Sequence, residues 1–217
     1  MANQDLVILV PDGAYREVLP AILRRARSLG VRDLTFHVVF DPLHDSSLQA
    51  VNLLRPYQRT HSHALVLRDF EGSGKEQVCT SEELETQLEQ ELEATGWSTG
   101  MACAVVAAPE LEDWLRLPSS HLAARLNLLA RHNRADLVGS LKDLVEDTIA
   151  QRGGRTDYGK PCRPKEVFED LLGHFGVQRS NAHYRYLAER ESLKNCDSPS
   201  FRRFVGILRH WFKLGDG

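Results

Sequence analysis

The chain has 217 residues, of which 42% are hydrophobic and 26% are charged, and its formal net charge is −3. This composition is typical of a globular protein that buries one hydrophobic core, or one domain with a small appendage. A weakly acidic chain does not coat DNA or an anionic membrane non-specifically, so any binding to nucleic acid requires a local basic patch.

The first residues, MANQDLVILV, lack the basic and long apolar segments of a secretory signal. The longest apolar stretches, such as ACAVVAA, are far shorter than the roughly 20 residues of a membrane-spanning helix. The four cysteines are widely spaced and form no Cys-x-x-Cys pair, which is typical of reduced cytosolic thiols. We therefore expect a cytoplasmic protein that does not contact a membrane.

Four short aliphatic runs, at residues 6–10, 35–40, 64–67 and 102–108, are predicted to be strands. Nearly continuous apolarity in runs of this length favours strands that are covered on both faces, as in a parallel sheet. Residues 16–29 have helical spacing and end at Gly30, although Pro20 interrupts the pattern. Thr80 and Glu83 have the spacing of a capping box at the start of a second helix, which ends at Gly96.

The second half of the chain is predicted to be helical, over residues 119–131, 135–151, 164–175, 182–193 and 199–212. A loop rich in Gly, Pro and basic residues, 153–166, lies between the second and third of these helices, with Pro164 in a first helical turn. The expected fold is a doubly wound α/β core with a mostly parallel sheet over residues 1–117. A helical region, 118–217, packs on that core.

Acidic side chains follow every predicted strand. Asp12 follows the first strand, Asp41 the second, Asp69 and Glu71 the third, and Glu110 the fourth. Because ligands of doubly wound sheets bind at the carboxyl ends of the strands, these carboxylates define the candidate site. Residues two apart in an extended stretch point the same way, so Asp69 and Glu71 can both face one Mg²⁺ or Mn²⁺ ion, and such an ion suits phosphoryl transfer.

Structural explanations compete with this interpretation. Asp12 and Asp41 individually fit better as helix caps or turn residues. Lys160, Arg163 and Lys165 are candidates for holding a phosphate near the carboxylates, although solvated loop charges are the commoner explanation. Glu112 is predicted to point away from Glu110, with Trp114 turning to the core.

Other site types have no support in the sequence. His61 and His63 lie at the start of the third strand, on the far side from the acidic residues, and Cys and His lack the close spacing of a zinc site. The chain contains no Gly-x-Gly-x-x-Gly or P-loop pattern, and no nucleophile elbow. The last predicted helix is amphipathic, which favours docking on its own domain over binding a partner.

Several segments resemble known families. An acidic residue after the first strand followed by Asp-x-Glu resembles the Toprim domain of topoisomerases, primases and overcoming-lysogenisation-defect nucleases. The strings HALVLRDFEGSGKE, APELEDWL, KPCRPKE and SNAHYRYLAERESLKNCDSPSF, within a match over residues 6–212, resemble a bacterial family described as the fourth component of a methylation-associated anti-phage defence system. PELEDWL also resembles a segment of Toprim-related families of unknown function.

The resemblance implies a Toprim-like metal site at Asp69 and Glu71, with Asp12 and Glu110 as further ligands, and a role in phage defence. Toprim enzymes usually have Glu after the first strand and an Asp-x-Asp motif, whereas this chain has Asp12 and Asp-x-Glu. The leading hypothesis is a metal-dependent nuclease or phosphotransfer protein that acts on nucleic acid or a nucleotide. The alternatives are a non-catalytic adaptor or sensor in a multi-protein defence complex, and a flavodoxin-like domain that binds a small ligand.

Overall fold

The computed structural model describes residues 4–42, 48–117, 119–129 and 137–215 of the chain. Its sheet has four parallel strands, β1 (Gln4–Val10), β2 (Phe36–Phe40), β3 (His61–Asp69) and β4 (Ala102–Ala107), in the order β2-β1-β3-β4. This is a doubly wound α/β arrangement, as the aliphatic runs predicted. The strand order reverses between β1 and β3, so the switch point lies between the carboxyl ends of these two strands.

Both faces of the sheet are buried. On one face, side chains such as Ile8, Leu65 and Val105 join a large cluster with α1 (Gly13–Leu23) and the carboxy-terminal helices. On the other face, Val7, Val66 and Ala104 pack against α2 (Ser81–Ala94) and the 3₁₀ helix Leu48–Tyr57. Burial on both sides explains why the strands have apolar residues at consecutive positions rather than at alternate ones.

The first helix differs from its prediction. It begins at Gly13 rather than at residue 16, because Asp12 accepts hydrogen bonds from the amides of Ala14 and Tyr15. It continues through Pro20 and ends at Leu23, followed by the 3₁₀ turn Ala26–Leu29. Gly30 ends that turn with a left-handed φ of 77°, as predicted.

The capping box is confirmed. The Thr80 hydroxyl accepts from the amide of Glu83, and the Glu83 carboxylate accepts from the amide of Thr80. These reciprocal hydrogen bonds satisfy two backbone amides at the start of α2, so a local sequence signal was enough to place the helix.

Five helices follow the sheet: α3 (Ser120–Leu129), α4 (Leu137–Gln151), α5 (Pro164–His174), α6 (Asn181–Arg190) and α7 (Pro199–Trp211). They agree with the predicted helices to within a few residues, although residues 130–136 of those predictions lie outside the described residues. The buried faces of these helices share one hydrophobic cluster with β1, β3 and α1. Phe201, Phe204 and Leu208 of α7 are buried in that cluster, so the last helix docks on its own chain, as predicted.

The outer edge of β4 is covered by side chains. Glu85 accepts from the amide of Val106 at 2.9 Å, and Glu89 accepts from the amide of Ala104 at 3.1 Å. Arg203 of α7 donates to the carbonyl of Ala104 and pairs with both glutamates. These contacts satisfy the backbone groups that a further strand would use, so this edge does not recruit one. Burial raises the pKa of Glu85 to about 7.

A buried ion pair joins the ends of two strands. Arg68 of β3 reaches Asp41, just after β2, with 3.0 Å between Nη2 and Oδ2, and both side chains are almost completely buried. In the strand order the guanidinium therefore crosses the end of β1. Asp41 has a structural role, as the sequence favoured, and its partner is a buried arginine that the apolar pattern did not predict.

No helix within the described residues is long and apolar enough to cross a membrane.

We expect Arg68→Met to lower the free energy of unfolding by about 3–5 kcal/mol, because it leaves the Asp41 carboxylate buried without its guanidinium. The matched control is Arg27→Met, which removes an Arg–Asp pair whose side chains are both 71% exposed and is expected to cost less than about 1 kcal/mol. Urea unfolding of the three proteins measures the difference. Equal losses in the two variants would contradict a stabilising role for the buried pair.

Candidate functional site

The predicted acidic residues lie at one edge of the sheet. Because all four strands are parallel, their carboxyl ends meet at the same edge, where Asp12 follows β1, Asp41 follows β2 and Glu110 follows β4 by three residues. Asp69 is the last residue of β3 and pairs with Ala107 of β4. The predicted shared edge is present, and the environment of each carboxylate differs.

Asp12 is the N-cap of α1. Its Oδ1 atom accepts from the amide of Ala14 at 2.8 Å and from the amide of Tyr15 at 3.1 Å. This is the structural role that the sequence analysis favoured for Asp12 alone. The same aspartate still belongs to the electrostatic environment of the site, because its charge contributes to raising the pKa of Glu112.

Asp69 connects three elements. Its Oδ1 atom accepts from the phenol of Tyr15 at 2.5 Å and from the amide of Leu111 at 2.9 Å, and the residue is buried. Tyr15 lies on α1, and Leu111 begins the 3₁₀ turn Leu111–Trp114 after β4. Asp69 therefore fixes the position of the segment that contains Glu110 relative to the switch point.

Glu71 lies beside Glu110 and is exposed. Its amide donates to the carbonyl of Pro109 at 2.9 Å, which holds the chain after β3 against the residue that precedes Glu110. The following loop turns at Gly72 and Gly74, which have φ values of 88° and 70°. The amides of both glycines donate to the carboxylate of Glu76. This loop is thus a defined turn that leaves Glu71 at the surface.

Glu110 is buried and forms an ion pair with Lys165 of α5, with 2.7 Å between Oε2 and Nζ. The pKa of Glu110 is raised to about 7, chiefly by burial and also by the charge of Glu112, while Lys165 opposes both effects. The charge of Glu71 also contributes to the increase. Glu110 therefore changes its protonation state near neutral pH.

Glu112 faces the same group of residues. Its Oε1 atom accepts from the phenol of Tyr184 at 2.5 Å, and burial raises the pKa of Glu112. Its charge acts on both Glu110 and Lys165, so Glu112 belongs to the electrostatic environment of Glu110, which the sequence analysis did not predict. Trp114, in the same 3₁₀ turn as Glu112, turns to the core as predicted.

Lys165 is the cation of this group. Burial lowers the pKa of Lys165, and the charges of Glu110, Glu112 and Asp69 raise it, with a net increase. Three carboxylates from two parts of the chain, the end of β3 and the segment after β4, thus act on one ammonium group. The other two basic residues of the predicted phosphate clamp lie elsewhere. Lys160 donates to the carbonyl of Leu115 at 2.8 Å, and Arg163 is largely exposed and pairs with Glu166.

The predicted ligand set Asp12, Asp69, Glu71 and Glu110 does not form a ready metal cage. Within the part of the chain that the structure describes, no three His, Cys, Asp or Glu side chains are arranged to hold one ion. Mg²⁺, however, is commonly held by one or two carboxylates together with water and substrate phosphates. The hydrogen bond from the Glu71 amide to the Pro109 carbonyl holds Glu71 near the segment that contains Glu110, and the charge of Glu71 acts on the pKa of Glu110, so these two residues are the pair to test against that smaller requirement.

Sequence reasoning missed two partners at this edge, Tyr15 and Arg68, and it considered Tyr184 only as a side chain that faces a substrate or packs in the core. Tyr15 and Tyr184 are fully buried within helical apolar patterns, and their hydroxyls bond to carboxylates 54 and 72 residues away. A single polar contact made from an otherwise apolar helix face leaves no periodic pattern in the sequence. The one available signal was that a buried tyrosine hydroxyl requires a hydrogen-bond partner.

Comparison with protein-family models, with curated proteins and with solved structures found no match for this chain.

We expect Lys165→Met to destabilise the protein more at pH 8 than at pH 5.5. The pKa of Glu110 in the folded protein, about 7, exceeds its ordinary value of 4.5. Its contribution to stability is therefore present below pH 4.5 and is lost as the pH rises through 7. Without Lys165 the Glu110 carboxylate is harder to ionise, so the protein loses more stability at high pH. We expect the free energy of unfolding at pH 8 to fall by about 1–3 kcal/mol. This is less than the loss expected on breaking a fully buried ion pair, because Lys165 is partly exposed.

Urea unfolding at the two pH values measures this effect, with Lys142→Met on the exposed face of α4 as the control. A loss that is equal at both pH values would show that Lys165 acts by packing alone.

Proposed function

We propose that the carboxyl edge of the sheet binds a divalent cation together with a phosphorylated substrate, and that the protein is a metal-dependent nuclease or phosphotransfer enzyme. One observation carries the proposal. The ammonium group of Lys165 pairs with Glu110 at 2.7 Å, the charges of Glu112 and Asp69 also act on its pKa, and Glu71 is exposed just after β3. Acidic side chains collected around a cation at a switch point form an environment that favours positive charge.

The charge balance supports a second cation. Asp69, Glu71, Glu110 and Glu112 contribute four carboxylates, and Lys165 contributes one positive charge. Burial and mutual repulsion raise the pKa values of Glu110 and Glu112, so these groups resist ionisation together. A divalent ion beside Glu71 and Glu110 would favour their ionised forms, because an opposite charge within a few ångströms stabilises a carboxylate.

The surroundings also suit a phosphate. Mg²⁺ or Mn²⁺ held by Glu71 and Glu110 would polarise a phosphate oxygen and lower the pKa of a bound water. Lys165 would then be available to contact the phosphate as a point charge. Nothing lies within 4 Å of where a side chain would begin at Gly72 or Gly74, so a substrate has open access to the loop beside Glu71.

The proposed biological setting is bacterial defence against phages, in which such an enzyme would act on nucleic acid or a nucleotide with other defence proteins. This part of the proposal comes from the resemblance of the four quoted sequence segments.

A second candidate is a non-catalytic adaptor or sensor in a multi-protein defence complex. It is favoured by the structural roles of two acidic residues, since Asp12 caps α1 and Asp69 binds Tyr15 and Leu111. If this function is the correct one, Asp12→Ala and Asp69→Ala variants that remain folded would still co-purify with neighbouring defence proteins. Glu71→Gln and Glu110→Gln would leave that association unchanged.

We expect calorimetric titration with Mg²⁺ or Mn²⁺ to detect binding to the wild-type protein at pH 7.5. Glu71→Gln and Glu110→Gln should each weaken it by about tenfold or more, which corresponds to about 1.4 kcal/mol. Glu93→Gln on the exposed face of α2 is the matched control and should bind as the wild type does. No heat of binding in the wild type, or equal affinities in all four proteins, would contradict the metal site.

Cleavage of plasmid, linear and single-stranded DNA and of RNA, with and without Mn²⁺, tests the enzymatic part of the proposal. We expect ion-dependent cleavage of at least one substrate, with a loss of about 10²-fold or more in Glu110→Gln. Metal binding without cleavage of any substrate would favour the adaptor.

A further inference from the structure

A polar cavity lies at the end of α1 and α6 that is remote from the carboxyl edge of the sheet. Gly13 and Asn181, at the starts of these helices, are adjacent, and Arg25, just beyond α1, donates to the carbonyls of Ala188 and Glu191 at the end of α6. The two helices therefore run side by side in the same direction. With 11 residues, α1 separates this cavity from the carboxyl edge by roughly 16 Å.

The cavity has a volume of about 430 Å³ and collects basic groups. Its walls include three arginines, two serines at the start of α3, and one glutamate: Arg25, Arg116, Arg190, Ser119, Ser120 and Glu191. The guanidinium charges exceed the carboxylate charge by two. A phosphate monoester, which carries close to two negative charges at neutral pH, balances that excess.

The arginines differ in how they are held. Arg25 is fixed by the carbonyls of Ala188 and Glu191, at 2.6 and 2.9 Å. Arg190 lies 4.0 Å from the ring centre of Tyr186 and bonds to Glu189. Arg116 is exposed, and within the described part of the chain its side chain makes no hydrogen bond or ion pair. The planar guanidinium group of Arg116 is therefore the one of the three that is most able to form two hydrogen bonds to a phosphate.

The start of α3 adds backbone donors. Ser119 accepts from the amide of Leu122 at 3.0 Å, which fixes the first turn of this ten-residue helix at the cavity wall. The first amides of a helix lack acceptors within the helix and attract anions.

Glu191 provides an independent indication of a ligand. The residue is 7% exposed, and its Oε1 atom has no hydrogen-bond partner among the described residues. A buried carboxylate oxygen without a donor is costly, so a ligand that supplies a hydroxyl or amino donor would relieve that cost. Inorganic phosphate has a P–OH donor only on the anion itself, whereas an organic phosphate can place its anion at Arg116 and a separate hydroxyl or amino donor at Glu191.

A second cavity of about 250 Å³ adjoins the first, and both are lined by Arg116, Glu191 and Ser192. The walls of the second cavity also include Trp114, Tyr158 and Leu193. Lys160 and Asp197 also line this cavity, so its walls are mixed, and Trp114 and Tyr158 form the part that suits a flat ring. The two volumes together are of the order found for small-molecule sites.

We propose that the two adjoining cavities form a binding site for a nucleotide-type ligand, a phosphate monoester joined through a hydroxyl-bearing unit to a ring. Arg116 and the start of α3 bind the phosphate, Glu191 accepts from a hydroxyl or amino group, and the ring lies beside Trp114 and Tyr158. The phosphate end of this site lies at the other end of α1 from the carboxyl edge, while Tyr158 at its ring end donates to the carbonyl of Ala108 just after β4. The site does not depend on the function proposed for that edge.

The test is calorimetric titration with adenosine 5′-monophosphate, ribose 5-phosphate, inorganic phosphate and adenosine. We expect adenosine 5′-monophosphate to bind most tightly and adenosine to bind at least roughly tenfold more weakly, because it lacks the phosphate. Arg116→Met should weaken the nucleotide by at least roughly tenfold, whereas Arg27→Met, on an exposed surface, should leave it unchanged.

Two variants of Glu191 separate its roles. Glu191→Gln keeps a carbonyl acceptor and should bind the nucleotide within about threefold of the wild type, whereas Glu191→Leu removes the acceptor and should weaken binding about tenfold. Unfolding midpoints without ligand confirm that each variant folds. Glu71→Gln and Glu110→Gln should bind the nucleotide normally even if they abolish metal binding.

The proposal is overturned if the nucleotide does not bind at millimolar concentration, or if Arg116→Met binds it as tightly as the wild type. Inorganic phosphate that binds as tightly as the nucleotide would overturn the assignment of the ring and of Glu191.

Discussion

The hydrogen bonds of Asp69 hold the candidate site together. One oxygen of this buried carboxylate accepts from Tyr15 on α1 and from Leu111 after β4, so three elements meet at the switch point. Glu110 precedes Leu111 in the chain and is therefore held beside β3, where it meets Lys165 of α5. A parallel sheet brings the ends of its strands to one edge, but it does not orient the side chains there. Asp69 provides that orientation, and this role explains why a carboxylate at the end of a buried strand is itself buried.

The site combines burial with excess negative charge. Glu110 and Glu112 are both buried, which raises their pKa values, and Lys165 offsets only part of the resulting repulsion. Glu71 is the acidic residue of this group that faces solvent. Such an arrangement has two consequences. The protonation of Glu110 responds to pH near neutrality, and a further cation at the margin of the group is electrostatically favoured.

At the other end of α1 the charge is reversed, because arginines there exceed acidic groups. The two ends of the same helix pair thus favour ligands of opposite charge.

Local patterns predicted much of this fold. The aliphatic runs located the four strands, and the reciprocal Thr80 and Glu83 signal located the start of α2, because each depends on neighbours within a few residues. The shared edge of the acidic residues followed from the alternation of strands and helices. The pairing of Glu110 with Lys165 and the burial of Arg68 did not, since these contacts join residues that are distant in sequence and depend on side-chain directions at the ends of strands. For the same reason the sequence could not separate the carboxylates that hold the structure from those that remain available to a ligand.

The most direct test of the central claim, that a divalent ion binds at the carboxyl edge, is paramagnetic broadening of amide signals by Mn²⁺ in the folded protein. At substoichiometric Mn²⁺ the account predicts loss of the amide signals of Glu71, Glu110 and Leu111, and recovery of these signals on addition of excess Mg²⁺. The amides of Gly96 and Trp97, which precede β4 and lie toward the opposite edge of the sheet, should retain their intensity. Uniform broadening across the protein, or no broadening at Glu71 and Glu110, would contradict the account.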